Sequence, residues 1–398
     1  MILVGVQASL NRQWNDLTIF YVMSPSQSAT GGCFLNCLPR RTVDLLDLLG
    51  VMEYACSTIF LLPQLFTCEQ RHSQPATKPF FTGVFLLQRL PLMKILNAVQ
   101  TAQALPYAKL VPAIAQAAGE LATQQILAPE RQVVVIDNAS VLLCMPAIGR
   151  DISVTKLITV HANNGQHGLP AIQGEVIVFD TATGLRIALL DGPTVTARRT
   201  AAVSLLGIQT LAPTSPSSVL IIGTGIQAAA HVDALVAFFG VPQFWIAGTT
   251  LPKTQAFCDA VQRRHPHVIA SPLTAADLLT TLPHIDVVIA LTTSKIPVIP
   301  NNILPTTLAI GVGAFKREMA EFPPALLHRR QIVVDDLDGA KHEAGDLIQA
   351  GIDWAPVKSL SAVLAEGRMP ADALPVFKTV GQAAWDLAAA RVAIASMT

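Results

Sequence analysis

The stretch SVLIIGTGIQAAAH, Ser218–His231, decides the reading of the fold. An apolar run leads into a glycine turn, and the turn opens a helix. Gly223, Gly225 and Ala228 give the spacing GxGxxA. The first glycine permits a tight turn. The second lets backbone approach a pyrophosphate, whose charge then faces the N-terminus of the helix. The following strand, QFWIAGTT, ends in Gly248, Thr249 and Thr250. An NAD site commonly places a carboxylate there, about twenty residues after the glycines, to hold the ribose hydroxyls. This chain has none. The threonine hydroxyls, with Lys253 near, suit a 2′-phosphate, so NADPH is expected and NADH remains allowed.

Downstream, apolar segments alternate with helical ones: KTQAFCDAVQRRH, VVIAL, TLAIGVG and QIVVDD. Such alternation predicts a doubly wound parallel sheet of the Rossmann type over 216–374. Upstream the pattern differs. NAVQTAQALPYAKLVPAIAQAAGELAT has helical spacing with a break near Pro106. RQVVVID, VLLCMPA, ISVTKLITVH, QGEVIVFDT and LRIALLDG read as strands separated by turns. They predict an α+β domain with a mostly antiparallel sheet, 93–215. TVTARRTAAVSLLGIQTLA is a helix, and PTSPSS, Pro213–Ser218, is a linker. The last helix, in TVGQAAWDLAAARVAIASM, reads as amphipathic and has no sheet of its own to cover, so 375–398 is expected to return to the first domain. Residues 1–92 are rich in Ser, Thr, Pro and Cys and show no sustained period beyond a short helix in RTVDLLDLLGVMEYA. They read as an unassigned extension, with Met93 starting the functional unit.

The 398 residues carry 27 basic and 27 acidic side chains, which gives no electrostatic footprint for nucleic acid or an anionic membrane. No apolar run is long enough to span a bilayer, and Met1–Leu10 lacks the marks of a signal peptide. The six cysteines, Cys33, Cys37, Cys56, Cys68, Cys144 and Cys258, show no zinc spacing. A reduced, cytoplasmic protein is expected. Asp335, Asp336, His342 and Glu343 fall just past a strand, where clefts form, but their spacing is no metal motif. His161 and His167 read as loop residues and His231 as structural.

Chemistry is expected from the first domain, where cations are few. Arg131 opens a strand, Lys156 lies inside the apolar ISVTKLITV, and Arg198 and Arg199 start a helix. A cation within an apolar strand is costly unless paired. Its partner is either structural, with Asp151, Glu175 and Asp191 as candidates, or a ligand. Arginine binds carboxylate through a two-pronged fork, and lysine serves as a point charge and proton donor. Beside a nucleotide domain, these cations suggest a small carboxylate-bearing substrate.

The chain resembles the ornithine cyclodeaminase and mu-crystallin family from Met93 to its C-terminus. The resemblance rests on Met145-Pro146, KLITVHANNGQHGLPAIQGEVIVFDTATG, DGPTVTARRTAA, VLIIGTGIQAAAH, ALTTSKIPVI and GVGAFKREMAEFP, in that order. GLPAIQGEV and LDGPTVTARRTAA are most similar to the branch that reduces Δ1-pyrroline-2-carboxylate and Δ1-piperideine-2-carboxylate. The resemblance implies a homodimer formed through the first domain, with Arg131, Lys156 and Arg199 at the substrate carboxylate and reacting nitrogen. It puts Arg199 and Thr200 near the cofactor phosphates, Gly225, Ile226 and Gln227 on the pyrophosphate turn, and Thr292, Thr293 and Ser294 near the nicotinamide. Cyclodeaminases of the family carry a catalytic aspartate where alignment on the glycines and Glu321 places Phe315 here. Deamination with ring closure needs a base that handles water or an amine. Phenylalanine is none, which leaves hydride transfer to a cyclic imine. Ornithine cyclodeaminase, an alanine-type dehydrogenase and a non-enzymatic NADPH binder like mu-crystallin are the alternatives.

Overall fold

Alternating apolar residues build the first sheet. In the computed structural model, which describes residues 93–280, 282–367 and 373–397, the strands are β1 (Lys94–Leu96), β2 (Gln132–Asp137), β3 (Ser140–Ile148), β4 (Ile152–His161), β5 (Ile172–Asp180) and β6 (Arg186–Asp191). Their order is β1-β6-β5-β4-β3-β2. All pairs are antiparallel except β1 with β6. Along β4, Ile152, Val154, Lys156 and Ile158 are buried. They share one face because side chains alternate along a strand. Lys156 therefore occupies a core position.

Helices α1 (Ala98–Ala104) and α2 (Tyr107–Ala122) precede this sheet, and the break between them falls at Leu105 and Pro106. Asn97 caps α1 with a reciprocal pair of hydrogen bonds to Gln100, which satisfies first-turn N–H groups. Helix α3 (Gly192–Leu211) begins at the end of β6, where the Asp191 carboxylate accepts from Thr194 N–H at 2.8 Å. Most of α3 is buried, since it packs both on β5 and on the first helix of the second half.

That second half holds a parallel sheet: β7 (Ser218–Ile222), β8 (Gln243–Ala247), β9 (Ile269–Leu273), β10 (Val287–Ala290), β11 (Leu308–Gly311), β12 (Ile332–Val334), β13 (Lys358–Ser359) and β14 (Val376–Lys378). The order is β13-β12-β14-β11-β10-β7-β8-β9. Every residue of β7, β10 and β11 is buried, as parallel strands covered on both faces require. The helices are α4 (Ile226–Phe239), α5 (Leu251–Arg264), α6 (Ala275–Leu279), α7 (Pro324–Leu327), α8 (Leu337–Glu343), α9 (Gly345–Gln349) and α10 (Leu360–Glu366). The strand order reverses between β7 and β10, and the carboxyl ends at such a reversal are where open α/β sheets receive ligands.

Strand β14 comes late in the chain yet sits between β11 and β12. The return to the first sheet therefore follows Lys378, slightly later than the expected 375. Helix α11 (Ala383–Ala395) then packs against α2, α3, β3 and β4. Its expected amphipathic character is corrected here: ten of its thirteen residues are buried, including Trp385 and Asp386. It is covered on nearly every side, so Asp386 marks an internal partner, while Arg391 reaches the rim and pairs with Asp151 and Glu120. One apolar core runs through both sheets, from Leu110 and Val176 to Val219, Phe377 and Trp385. The expected helix in RTVDLLDLLGVMEYA, the extension reading of 1–92 and four of the cysteines lie outside the described residues.

Candidate active site

The glycine turn sits at the strand-order reversal. Gly223 has φ 124°, and a Cβ on it would stand 2.6 Å from the carbonyl oxygen of Leu291, which leaves β10. Only glycine fits there. Gly225 is the N-cap of α4, makes no side-chain cap, and opens on free space where a Cβ would lie. The first N–H groups of α4 have no intrahelical acceptors. Ile226 is exposed, and Gln227 ends in a buried amide oxygen without a partner among the described residues. These N–H groups and the space over Gly225 fit a pyrophosphate. Ala228 is fully buried, so the helix lies close on the sheet.

At the end of β8, a Cβ on Gly248 would stand 2.6 Å from Thr254 Oγ1 and 2.9 Å from Thr224 Cγ2. Contact with the glycine turn thus excludes a side chain at the first position where a ribose-binding carboxylate would be sought. Thr249 and Thr250 are exposed, and Thr250 is the N-cap of α5.

The loops after β10 and β11 are tied by one carboxylate. Glu321 accepts from Thr292 N–H at 2.7 Å, the Thr292 hydroxyl at 3.1 Å, Gly313 N–H at 2.7 Å and Ala314 N–H at 3.1 Å. Burial pushes its carboxyl above the usual range. Thr292 is therefore turned toward Glu321, Thr293 is exposed, and the Ser294 hydroxyl donates to Ile296 O at 2.7 Å. Phe315 lies half-buried on the same loop.

The first-domain cations converge. Lys156 Nζ lies 2.9 Å from Asp386 Oδ2 and donates to Oδ1 at 3.2 Å. The Oδ2 contact is close but lacks hydrogen-bond alignment, so that oxygen has no hydrogen-bond partner among the described residues. Arg199 Nε donates to Asp386 Oδ1 at 3.1 Å. All three groups are buried. Burial, and next the neighbouring Arg199 charge, lowers Lys156 to about 7, against the pull of Asp386; Arg131 lowers it further. Of the expected structural partners for Lys156, none is used. Asp151 pairs instead with Arg391 at 2.7 Å, Glu175 and Asp191 stay on the neighbouring strands β5 and β6, and the partner is Asp386.

Arg131 NH2 donates to the carbonyls of Val380 and Gly381, both at 2.9 Å, and meets Glu343 Oε2 at 2.7 Å. Burial, opposed by Arg131, raises Glu343 to about 7. Arg198 takes no part: its Nε donates to Leu105 O at 2.8 Å and its guanidinium covers the Tyr107 ring at 4.2 Å. Thr200 is buried beside Arg199. His231 joins α4 to α3: its Nδ1–H donates to Gln227 O at 2.8 Å, and Nε2 accepts from the Ser204 hydroxyl at 3.0 Å. Burial lowers it to about 4, so it is neutral near pH 7. His161 is half-buried and His167 exposed beside the β4–β5 connection. Among the described residues no three His, Cys, Asp or Glu side chains gather as metal ligands.

Sequence reasoning missed Asp386. Its signal was available: it is the one carboxylate in the apolar AAWDLAAARVAIA, and a lone charge in a buried helix demands a partner just as Lys156 does.

Comparison with known proteins bears on this geometry. The family model described as "Ornithine cyclodeaminase/mu-crystallin family" matches residues 92–397. A Δ1-pyrroline-2-carboxylate/Δ1-piperideine-2-carboxylate reductase of Azospirillum brasilense is 43% identical over 299 residues, covering 75% of this chain and 94% of that protein. Ketimine reductase mu-crystallin of Rattus norvegicus is 28% identical over 275 residues, 67% of this chain and 84% of that one. The structure of Thermococcus litoralis Δ1-pyrroline-2-carboxylate reductase with NADH and L-proline superposes with a TM-score of 0.69 at 22% identity, over 76% of this chain and 97% of that chain. At that identity the last likeness establishes the fold.

Proposed function

This chain belongs to the ornithine cyclodeaminase/mu-crystallin family, and from that premise we propose that it is an NAD(P)H-dependent ketimine reductase. It reduces Δ1-pyrroline-2-carboxylate to L-proline and Δ1-piperideine-2-carboxylate to L-pipecolate. The observation that carries this reading is a charge imbalance. Lys156 and Arg199 share the single carboxylate of Asp386, and the charge of Arg131, itself paired with Glu343, is felt at Lys156. Buried net charge is costly unless a counterion joins it. A substrate carboxylate is that counterion, and the pyrroline-carboxylate relatives support a cyclic imine as its carrier.

The dinucleotide, when bound, supplies the hydride. Arg131 and Arg199 hold the carboxylate. Among the described residues the contacts of Arg131 run through one terminal nitrogen, and Arg199 uses Nε for Asp386. Each therefore keeps donors for a ligand, and two such forks fix which face of the ring is presented. Lys156, poised near neutrality, donates to the ring nitrogen, because a protonated imine accepts hydride far better. Asp386 orients the lysine and keeps its charge from being expelled by Arg199. Phe315 offers no base for the water or amine step of a cyclodeaminase, so the chemistry stops at reduction.

Several finer features belong to the same reading. NADPH is favoured, because Gly248, Thr249 and Thr250 bring no carboxylate to the second strand's end. The substrate domain is 93–215 with the C-terminal helix, and the nucleotide domain follows from 216. The chain is a homodimer. All of β2 is exposed, with Val133, Val134, Val135 and Ile136 between 47% and 70%, and such an apolar edge strand ordinarily finds a cover. Cys144 and Cys258 form no disulfide among the described residues, and a reducing compartment such as the cytoplasm belongs to this reading. No described helix is long and apolar enough to cross a membrane. The test is oxidation of NADPH and of NADH with each cyclic imine. Turnover of either imine to the L-amino acid is expected. Nucleotide binding without turnover of either ring sinks the reading.

A further inference from the structure

Asp335 follows β12, in the stretch VVDDLDG. Its carboxylate is buried, yet no cation pairs with it among the described residues. Five donors reach it instead. Thr379 hydroxyl lies at 2.6 Å, Val380 N–H at 3.0 Å, Gly381 N–H at 3.0 Å, Trp385 Nε1 at 3.3 Å and Asp336 N–H at 3.0 Å. An ionised carboxylate accepts about four hydrogen bonds, so Asp335 is saturated. Four of the five donors come from residues 379–385, which carry the chain from β14 into α11.

This segment and the residue that follows it meet the three cations Arg131, Arg199 and Lys156. The carbonyls of Val380 and Gly381 accept from Arg131. Gly381 has φ 84°, and a Cβ there would stand 2.9 Å from Arg199 NH1, so the turn lies close against the guanidinium. Asp386, the next residue after Trp385, pairs with Lys156 and Arg199. The carboxylate that shapes this turn stands at the carboxyl edge of the parallel sheet, the edge that receives a dinucleotide.

We propose that Asp335 is a positioning residue for imine reduction: it moulds the 379–385 turn that sets Arg131, Arg199 and Lys156 against the dinucleotide half. The proposal rests on the reading of those cations as the substrate site. Asp335 touches neither substrate nor cofactor in this account; it acts through the turn. A residue that serves folding alone lowers Tm when changed and leaves KM where it was. A positioning residue moves KM, because the arginine forks lose their alignment.

Asp335→Asn tests this. Three of the bonds fall on Oδ2 and two on Oδ1, so either orientation of the amide sets its NH2 against at least two donors. KM for the cyclic imine should rise on the order of tenfold, the size of one lost hydrogen bond to a charged group. A crystal structure of the variant should show Arg131 released from the Val380 and Gly381 carbonyls. A folded Asp335→Asn protein with lowered Tm and unchanged KM overturns the proposal. If the variant does not fold, Thr379 decides. Thr379→Val removes the shortest bond at nearly constant shape and should raise KM, whereas Thr379→Ser keeps the hydroxyl and should restore it; equal KM values in the two overturn the proposal. Should the unaltered protein reduce neither imine, the functional reading fails by itself. The variant's structure then decides positioning, and an undisturbed Arg131 contact overturns it.

Discussion

Among the described residues two lysines are buried in strands, and they differ in what surrounds them. Lys156, on β4, shares one carboxylate with Arg199 and lies in the field of Arg131. Lys378, on β14, stands 3.6 Å from Asp346 and 3.9 Å from Glu321, with no hydrogen bond among the described residues. Around Lys378 negative charge exceeds positive, and the Glu321 oxygens are occupied by N–H and hydroxyl donors of the loops they tie. Nothing there invites a ligand. At Lys156 two cations, its own and Arg199, share the one carboxylate of Asp386, while Arg131 has Glu343, and the arginines keep unused donors. Burial of a lysine alone does not mark a site; the sign of the charge left over does.

Breaking each cluster should have different consequences. Lys378→Met leaves Glu321 and Asp346 as two buried carboxylates without a cation. Removing one partner of a buried ion pair costs about 3–5 kcal/mol, so the midpoint of urea unfolding should fall sharply while surviving enzyme keeps its KM for imine. A variant of native stability that no longer binds imine would exchange the roles of the two lysines. Arg199→Met should do the reverse. Loss of a carboxylate partner should remove about 2–4 kcal/mol of transition-state binding, roughly thirty- to a thousandfold in kcat/KM. The urea midpoint should fall less than in Lys378→Met.

A smaller effect sharpens the nucleotide side of the contrast. Thr249→Asp places a negative charge at the end of β8, where the 2′-phosphate of NADPH is expected. The ratio of kcat/KM values for NADPH and NADH should move toward NADH by about tenfold, the effect of a like charge worth about 1.4 kcal/mol. A strong NADH preference in the unaltered protein contradicts the cofactor assignment before any mutation is made.

How much of this was legible follows from distance along the chain. The glycine turn, the long strands β3 to β6 and helix α3 are local patterns, and each stands where the residues predict it. The burial of Lys156 was also legible, from a charge in an apolar alternation. Its partner was not, because Asp386 lies 230 residues away and no local period links them. Strands β1, β13 and β14 have only two or three residues, too few for a period of two to show. Helix α11 misled because alanine suits wet and dry faces alike. Asp386 meets a buried ion pair, and Arg391 reaches out to Asp151 at the surface.

The most direct measurement is the pH profile of imine reduction by Lys156→Met beside the unaltered enzyme. Free Lys156 titrates near 7, facing Asp386 from α11, Arg199 from α3 and Arg131 at the start of β2. Its ammonium, the proposed donor, is present below that pH and is lost above it. For the unaltered enzyme kcat/KM should therefore decline above about pH 7, approaching tenfold per unit. A bound carboxylate favours the ammonium, so the decline in kcat should begin at higher pH. The imine's own titration is common to both proteins. Lys156→Met should show a depressed kcat with the lysine's alkaline limb gone, and should still bind nucleotide. Near-normal imine reduction with an unchanged pH profile in Lys156→Met contradicts the account and leaves the lysine a structural partner of Asp386.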